Sequence, residues 1–181
     1  LDNRIGGYII ARVMAELSKE KNRCAATLQC VNSVQEEIGG HGATMITRRL
    51  MPDVAVCLDV THATDTPGID HSIHGQVKMG GGPSVTHGTC NHPNVIKRIL
   101  EVAKKNKIPI QHESSSRYSG TDTDNISYTG EGIPSALISL PLRYMHSVVE
   151  VVEIKDVEEV ISVLVKLVKS LKPGDKFGIK I

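Results

Sequence analysis

Apolar strand-like runs alternate with amphipathic helical patterns along almost the whole chain, and this alternation limits the fold more than any other feature. CAATLQCVNSVQ (24–35), DVAVCLDV (53–60), IPIQHES (108–114) and PSALISLPLR (134–143) read as strands. QVKMGGGPSV (76–85) starts as a strand and breaks at its glycines. Between these runs the apolar period changes to that of a helix. LDNRIGGYIIARVMAELSKEKN (1–22) carries Ile5, Ile9, Val13 and Leu17 on one face, with Asp2 and Asn3 as candidate caps. GHGATMITRRLM (40–51) reads as a helix. NHPNVIKRILEVAKKNK (91–107) reads as another, with Pro93 near its start. GTDTDNISYTGEG (120–132) predicts a short helix, DVEEVISVLVKLVKSLK (156–172) a closing one, and GDKFGIKI (174–181) a tail. The expected fold is α/β, with helices on both faces of a sheet. Ligands of such sheets collect at the carboxyl ends of strands.

The 181 residues suffice for one domain with a real core. The formal net charge is +1, Trp is absent and Phe occurs once, so basic tracts and base-stacking platforms are missing and nucleic acid is a poor partner. No apolar stretch reaches membrane-spanning length, which argues against a membrane partner. The cysteines at 24, 30, 57 and 90 form no C-x-x-C pair and read as free thiols in a reducing compartment.

Several acids and one histidine stand out by position. Glu36 and Glu37 close one predicted strand, Asp59 closes the next, Asp2 opens a helix, and His146 follows the strand that ends near Pro141. Adjacent glutamates are awkward without a nearby positive charge. Carboxylates with imidazole suit zinc, cobalt or manganese. A divalent pair would let one glutamate bind metal while its neighbour accepts a proton from water. Residue pattern alone leaves other roles open: Asp2 as a helix cap, Asp59 in an Asx-turn, His146 as a core histidine. His62, His71, His74, His87 and His92 lie in polar segments and are given no ligand role; His41 reads as surface or pocket-lining. GGGP (80–83) lacks the Lys and Ser/Thr of a phosphate loop.

LDNRIGG, VQEEIGGHGA, PDVAVCLDVTHATDTPG, MGGGP and GTDTDNISYTGEGIPSALISLPLRYMHSVVEVV, spread over residues 1 to about 160, together resemble the glutamyl-aminopeptidase and deblocking-aminopeptidase family. These are dinuclear-metal enzymes that form tetrahedral particles, and some relatives carry the label endoglucanase. The resemblance implies a three-layer α/β/α fold with an open mixed sheet, zinc-peptidase-like (phosphorylase/hydrolase-like), and a cytoplasmic aminopeptidase that removes N-terminal residues from peptides. It implies two divalent ions, zinc or cobalt, with manganese as a third choice, and a homo-oligomeric parent. By the same resemblance Asp2 bridges the metals and Glu37 and His146 complete one site. Asp59 serves the other, and Glu36 is the general base toward a bridging water. Gly120, Thr121 and Asp122 shape the substrate pocket. The family also carries an upstream H-x-D histidine and a dimerisation and lid domain that find no match here. Residues 1–181 are therefore expected to be an incomplete catalytic domain. The alternatives are an endoglucanase-type glycoside hydrolase, and an inactive fragment or scaffold of the parent.

Overall fold

The computed structural model describes residues 1–19 and 24–178. The ends of two predicted segments, residues 20–22 and 179–181, fall outside this range. The described chain forms α1 (Arg4–Ser18), α2 (His41–Leu50), β1 (Ala55–His62), α3 (His71–His74), β2 (Ser84–Gly88), α4 (Pro93–Asn106), β3 (Gln111–Ser115), α5 (Asp122–Ser127), β4 (Ser135–Arg143), β5 (Val151–Val152) and α6 (Ile154–Ser170).

The sheet order is β1-β4-β2-β3, with β5 also paired to β4. β1 runs parallel to β4, β2 parallel to β3, and β2 and β5 antiparallel to β4. The sheet is thus mixed, as expected. α1 and α4 pack on α6, while α2 packs on α5, so helices form two groups. β4 is central, and its first eight residues are buried. A strand covered on both faces needs a near-continuous apolar run, and SALISLPL supplies one. Pro141 is tolerated inside it because β4 changes partner there. β2 pairs at Ile138 and Ser139, β5 begins at Leu142, and Pro141 faces Thr61 of β1. A proline lacks only the N–H that this gap leaves without a ladder partner.

The apolar core joins Ile9 and Val13 of α1, Val95 and Ile99 of α4, Ile138 and Leu140 of β4, and Val160, Val163 and Leu164 of α6. The first turn of α6 also fixes a loop. Asp156 is fully buried and accepts hydrogen bonds from the amides of Gly80 (2.6 Å) and Gly82 (2.8 Å).

Two strand expectations fail. Residues 24–35 contain no strand and are largely exposed. Alternation of side chains prepares a segment for a sheet, but a strand also needs a hydrogen-bonded neighbour, and none pairs with it among the described residues. Glu36 and Glu37 therefore follow an extended segment and sit in a turn. Residues 76–79 are likewise not a strand; β2 starts only at Ser84, after the glycines. Gly82, at φ +89, approaches the Pro109 carbonyl too closely for a side chain, so the glycine run leads into the strand and does not break it.

Candidate metal centre

Three of the five acid and histidine candidates converge. The ligand atoms of Asp2, Glu37 and His146 all lie within 4.8 Å of one another. His146 Nε2 stands 3.0 Å from Asp2 Oδ2 and 3.7 Å from Glu37 Oε2. Each reaches this place by local backbone geometry. Asn3, one residue after Asp2, caps α1: its side chain accepts from the Gly6 amide. Its Nδ2 donates to the Leu58 carbonyl at 2.7 Å, which ties the start of α1 to β1.

The glutamate pair is set by a turn over residues 36–39, where the Gly39 amide donates to the Glu36 carbonyl at 3.0 Å. Gln35, at φ 63, turns the chain into it. Gly42 then permits the return, because a Cβ there would meet the Val34 carbonyl oxygen at 2.2 Å. His146 is delivered by the turn after β4, in which Tyr144 and His146 both take positive φ.

Glu150 organises these pieces and was not singled out by the sequence. Its Oε1 accepts from the His146 amide at 2.9 Å, and its Oε2 accepts from the Asp2 amide at 3.0 Å and from the Leu1 nitrogen. The backbone amides of Asp2 and His146 favour the ionised form of its carboxyl. The available signal was an acid four residues after the candidate histidine, inside RYMHSVVEVV.

Asp59 is not part of the three-residue cluster. It lies mid-to-late in β1, opposite Ser139, and lines the same cavity of about 610 Å³ as Asp2, Glu36, Glu37 and Asp122. Burial pushes its carboxyl up to about 7, against the pull of the Val60 amide; Glu36, Asp2 and Asp122 push it further. Burial also raises Glu36, reinforced by Asp122, Glu37 and Asp2. A carboxyl above its ordinary range is a better proton acceptor. The Cys57 thiol is pushed up to about 12 by burial, so it is an inert neighbour of the acids.

The residues given to the substrate pocket separate. Asp122 lines the cavity, is 7% exposed, and accepts from Ser33 Oγ with Oδ2, while its buried Oδ1 has no hydrogen-bond partner. Thr121 caps α5 through the Thr123 amide, and Gly120 is exposed in the preceding turn. His41 begins α2, exposed, and is not among the cavity-lining residues.

Five carboxylates line the cavity, against a single guanidinium, that of Arg4. Two carboxylates and an imidazole within mutual ligand reach, an orphaned buried carboxylate oxygen and an excess of negative charge form a donor set suited to divalent ions.

Comparison with known proteins gives a consistent assignment. Residues 1–163 match the M42 glutamyl aminopeptidase family. The lysyl aminopeptidase of Pyrococcus furiosus is 36% identical over 175 residues, covering 97% of this chain and 49% of that protein. The crystal structure of a TET aminopeptidase from a marine-sediment Thaumarchaeota archaeon superposes with TM-score 0.87 at 32% identity, covering 94% of this chain and 48% of that one. The Pyrococcus horikoshii TET1 peptidase, which can assemble into a tetrahedron or a large octahedral shell, matches at 25% identity and TM-score 0.64, over 77% of this chain and 40% of that one. The chain spans about half the length of the curated relatives it matches.

Proposed function

The chain belongs to the M42 glutamyl aminopeptidase family, and from that premise we propose that it forms part of the catalytic domain of a metal-dependent enzyme that removes N-terminal residues from peptides. The observation that carries this reading is the convergence of Asp2, Glu37 and His146 from three separated segments.

In this reading Asp2, Glu37 and His146 hold one divalent ion, and Asp2 and Asp59 contribute to a second; zinc or cobalt fits these donors, with manganese next. The ions, when bound, supply Lewis acidity that polarises the scissile carbonyl and lowers the pKa of water. Glu36 takes the proton of the attacking water and returns it to the leaving amine. Its raised proton affinity supports this role. Glu150 keeps Asp2 and His146 in register. Asp122, with its free buried oxygen, forms the acidic wall against which a peptide's ammonium end lies; Gly120 and Thr121 position it by starting α5.

Further polypeptide completes this half of the domain. Among the described residues β1 pairs on one side only, with β4, and the cavity lies between it and the extended residues 26–33. Such an edge accepts another strand. That segment would also fill the Asp59 side of the second metal site. The assembled protein is a homo-oligomer, as in the TET1 relative. Its four free cysteines fit a reducing, cytoplasmic setting; no described helix is long and apolar enough to cross a membrane.

Glu36→Gln in the full-length protein tests the assignment. Turnover of an amino-acid anilide should fall by about 10²–10⁴-fold, with metal content unchanged. Normal turnover in that variant would remove Glu36 from the chemistry. Cellulose cleavage that survives chelation would favour the glycosidase alternative.

A further inference from the structure

Two histidines far apart in sequence meet at the opposite edge of the sheet. β2 and β3 run parallel, with Val85 opposite His112 and His87 opposite Ser114. His87 and His112 therefore project from one face as diagonal neighbours. Their rings stack with centroids 5.2 Å apart and an interplanar angle of 27°. His87 Nε2 lies 2.9 Å from His112 Nδ1. Both residues are exposed. A neutral imidazole has one donor and one acceptor nitrogen, so the pair shares one proton between two nitrogens that can each bind a metal. The pair is separate from the acid cluster: β4 and β2 lie between β1 and β3, and neither histidine lines the acidic cavity.

We propose that His87 and His112 form an independent site for a borderline transition-metal ion, Cu²⁺ before Ni²⁺ or Zn²⁺, which clips the edge strand β3 to β2. With metal–nitrogen bonds of about 2.0–2.1 Å, two donors at a right angle around one ion stand about 2.9 Å apart. The two nitrogens already have this spacing. The ion displaces the shared proton and lies to one side of the line between them, which a turn of each ring about its Cβ–Cγ bond brings into line with both lone pairs. Imidazole selects these ions over Ca²⁺ and Mg²⁺, which require oxygen donors.

The intrinsic affinity of nitrogen donors sets the order among them, with copper first. The shallow groove beside His87 is lined by Lys97, Glu101 and Lys104. The Glu101 carboxylate lies 4.0 Å from the Lys97 ammonium and does not form a three-ligand cluster with the two histidines. The nearby ammonium groups oppose every dication alike, so the strongest nitrogen binder is the one that holds there. β3 has only five residues and, among the described residues, one strand neighbour, so an ion that binds only the folded state stabilises this edge.

Copper titration of the full chain, followed by electron paramagnetic resonance and amide NMR, tests the site. The expected result is a copper signal with two imidazole nitrogens and broadening of amides at 84–88 and 111–115. His87→Asn and His112→Asn should each weaken that binding by roughly tenfold or more, while His146→Asn retains it. If His87→Asn fails to fold, His112→Asn and the broadening map of the unaltered chain decide. Unchanged copper binding in the folded variants, or broadening that spares both strands, overturns the proposal.

Discussion

β1, at one end of the strand order, differs from its neighbour β4. β4 is buried on both faces, has partners on both sides, and changes partner where its proline would otherwise leave a gap. β1, its parallel neighbour, has a comparable apolar sequence but is mostly half-buried, with one edge unpaired among the described residues. On that edge the Leu58 carbonyl takes a side-chain donor from Asn3, and the Val60 amide turns to the Asp59 carboxylate. Around β4, α4 and α6 the apolar faces pack on one another, and the buried polar atoms left without a hydrogen bond there, Arg143 Nε and Glu159 Oε2, lie outside the acidic cavity. Around β1 the carboxylates raise one another's proton affinity and a buried oxygen stays unpaired. The first region carries the apolar core, and the second gathers acids around the cavity.

Mutating each region separates these roles. Ile99 is fully buried on the inner face of α4. Ile99→Ala should destabilise the chain by about 3–5 kcal/mol, read from urea unfolding, without changing how many metal ions the folded protein binds. A loss of metal from the folded variant would break the comparison.

Asp59 acts in the opposite sense. Its folded pKa of about 7 lies above its ordinary 3.8. Proton binding to the folded state is therefore favoured. The stabilisation is complete below the ordinary value and lost as pH rises through about 7. Metal-free chain should become more stable as pH falls from about 8 to about 5, and the raised Glu36 adds in the same direction. Asp59→Asn should flatten the profile and recover on the order of 3 kcal/mol at the alkaline end. A profile that rises with pH would contradict the buried-acid account.

A smaller effect is expected from Glu150→Gln. The variant keeps the shape but weakens the bonds to the Asp2 and His146 amides. Metal affinity should fall by about 10–100-fold, read by competition with a chelating dye, while far-ultraviolet dichroism is unchanged. Unaltered affinity would show that Asp2 and His146 hold their places without it.

Much of this organisation was readable beforehand, for identifiable reasons. α4 and α6 carry long 3.6-residue periods, and β4 carries a continuous apolar run, so local pattern and tertiary burial agree. Residues 24–35 misled because alternation specifies two faces of a strand but not the presence of a neighbour. The candidates Asp2, Glu36, Glu37, Asp59 and His146 came from residue type and family resemblance; the structure gathers Asp2, Glu37 and His146, and Glu36 and Asp59 line the same cavity. The turn that aims the glutamates was not legible, since it depends on Gln35 at φ 63, a conformation its side chain does not advertise. Glu150 and the His87–His112 pair were invisible for another reason. Their significance comes from partners up to 149 residues away, across sheet register and loop closure.

The most direct measurement is anomalous X-ray diffraction from zinc-loaded crystals, collected on both sides of the zinc edge. The account predicts an anomalous peak within bonding distance of Asp2, Glu37 and His146 side-chain atoms. Ordered zinc bound elsewhere, with those three side chains free of metal, would contradict it.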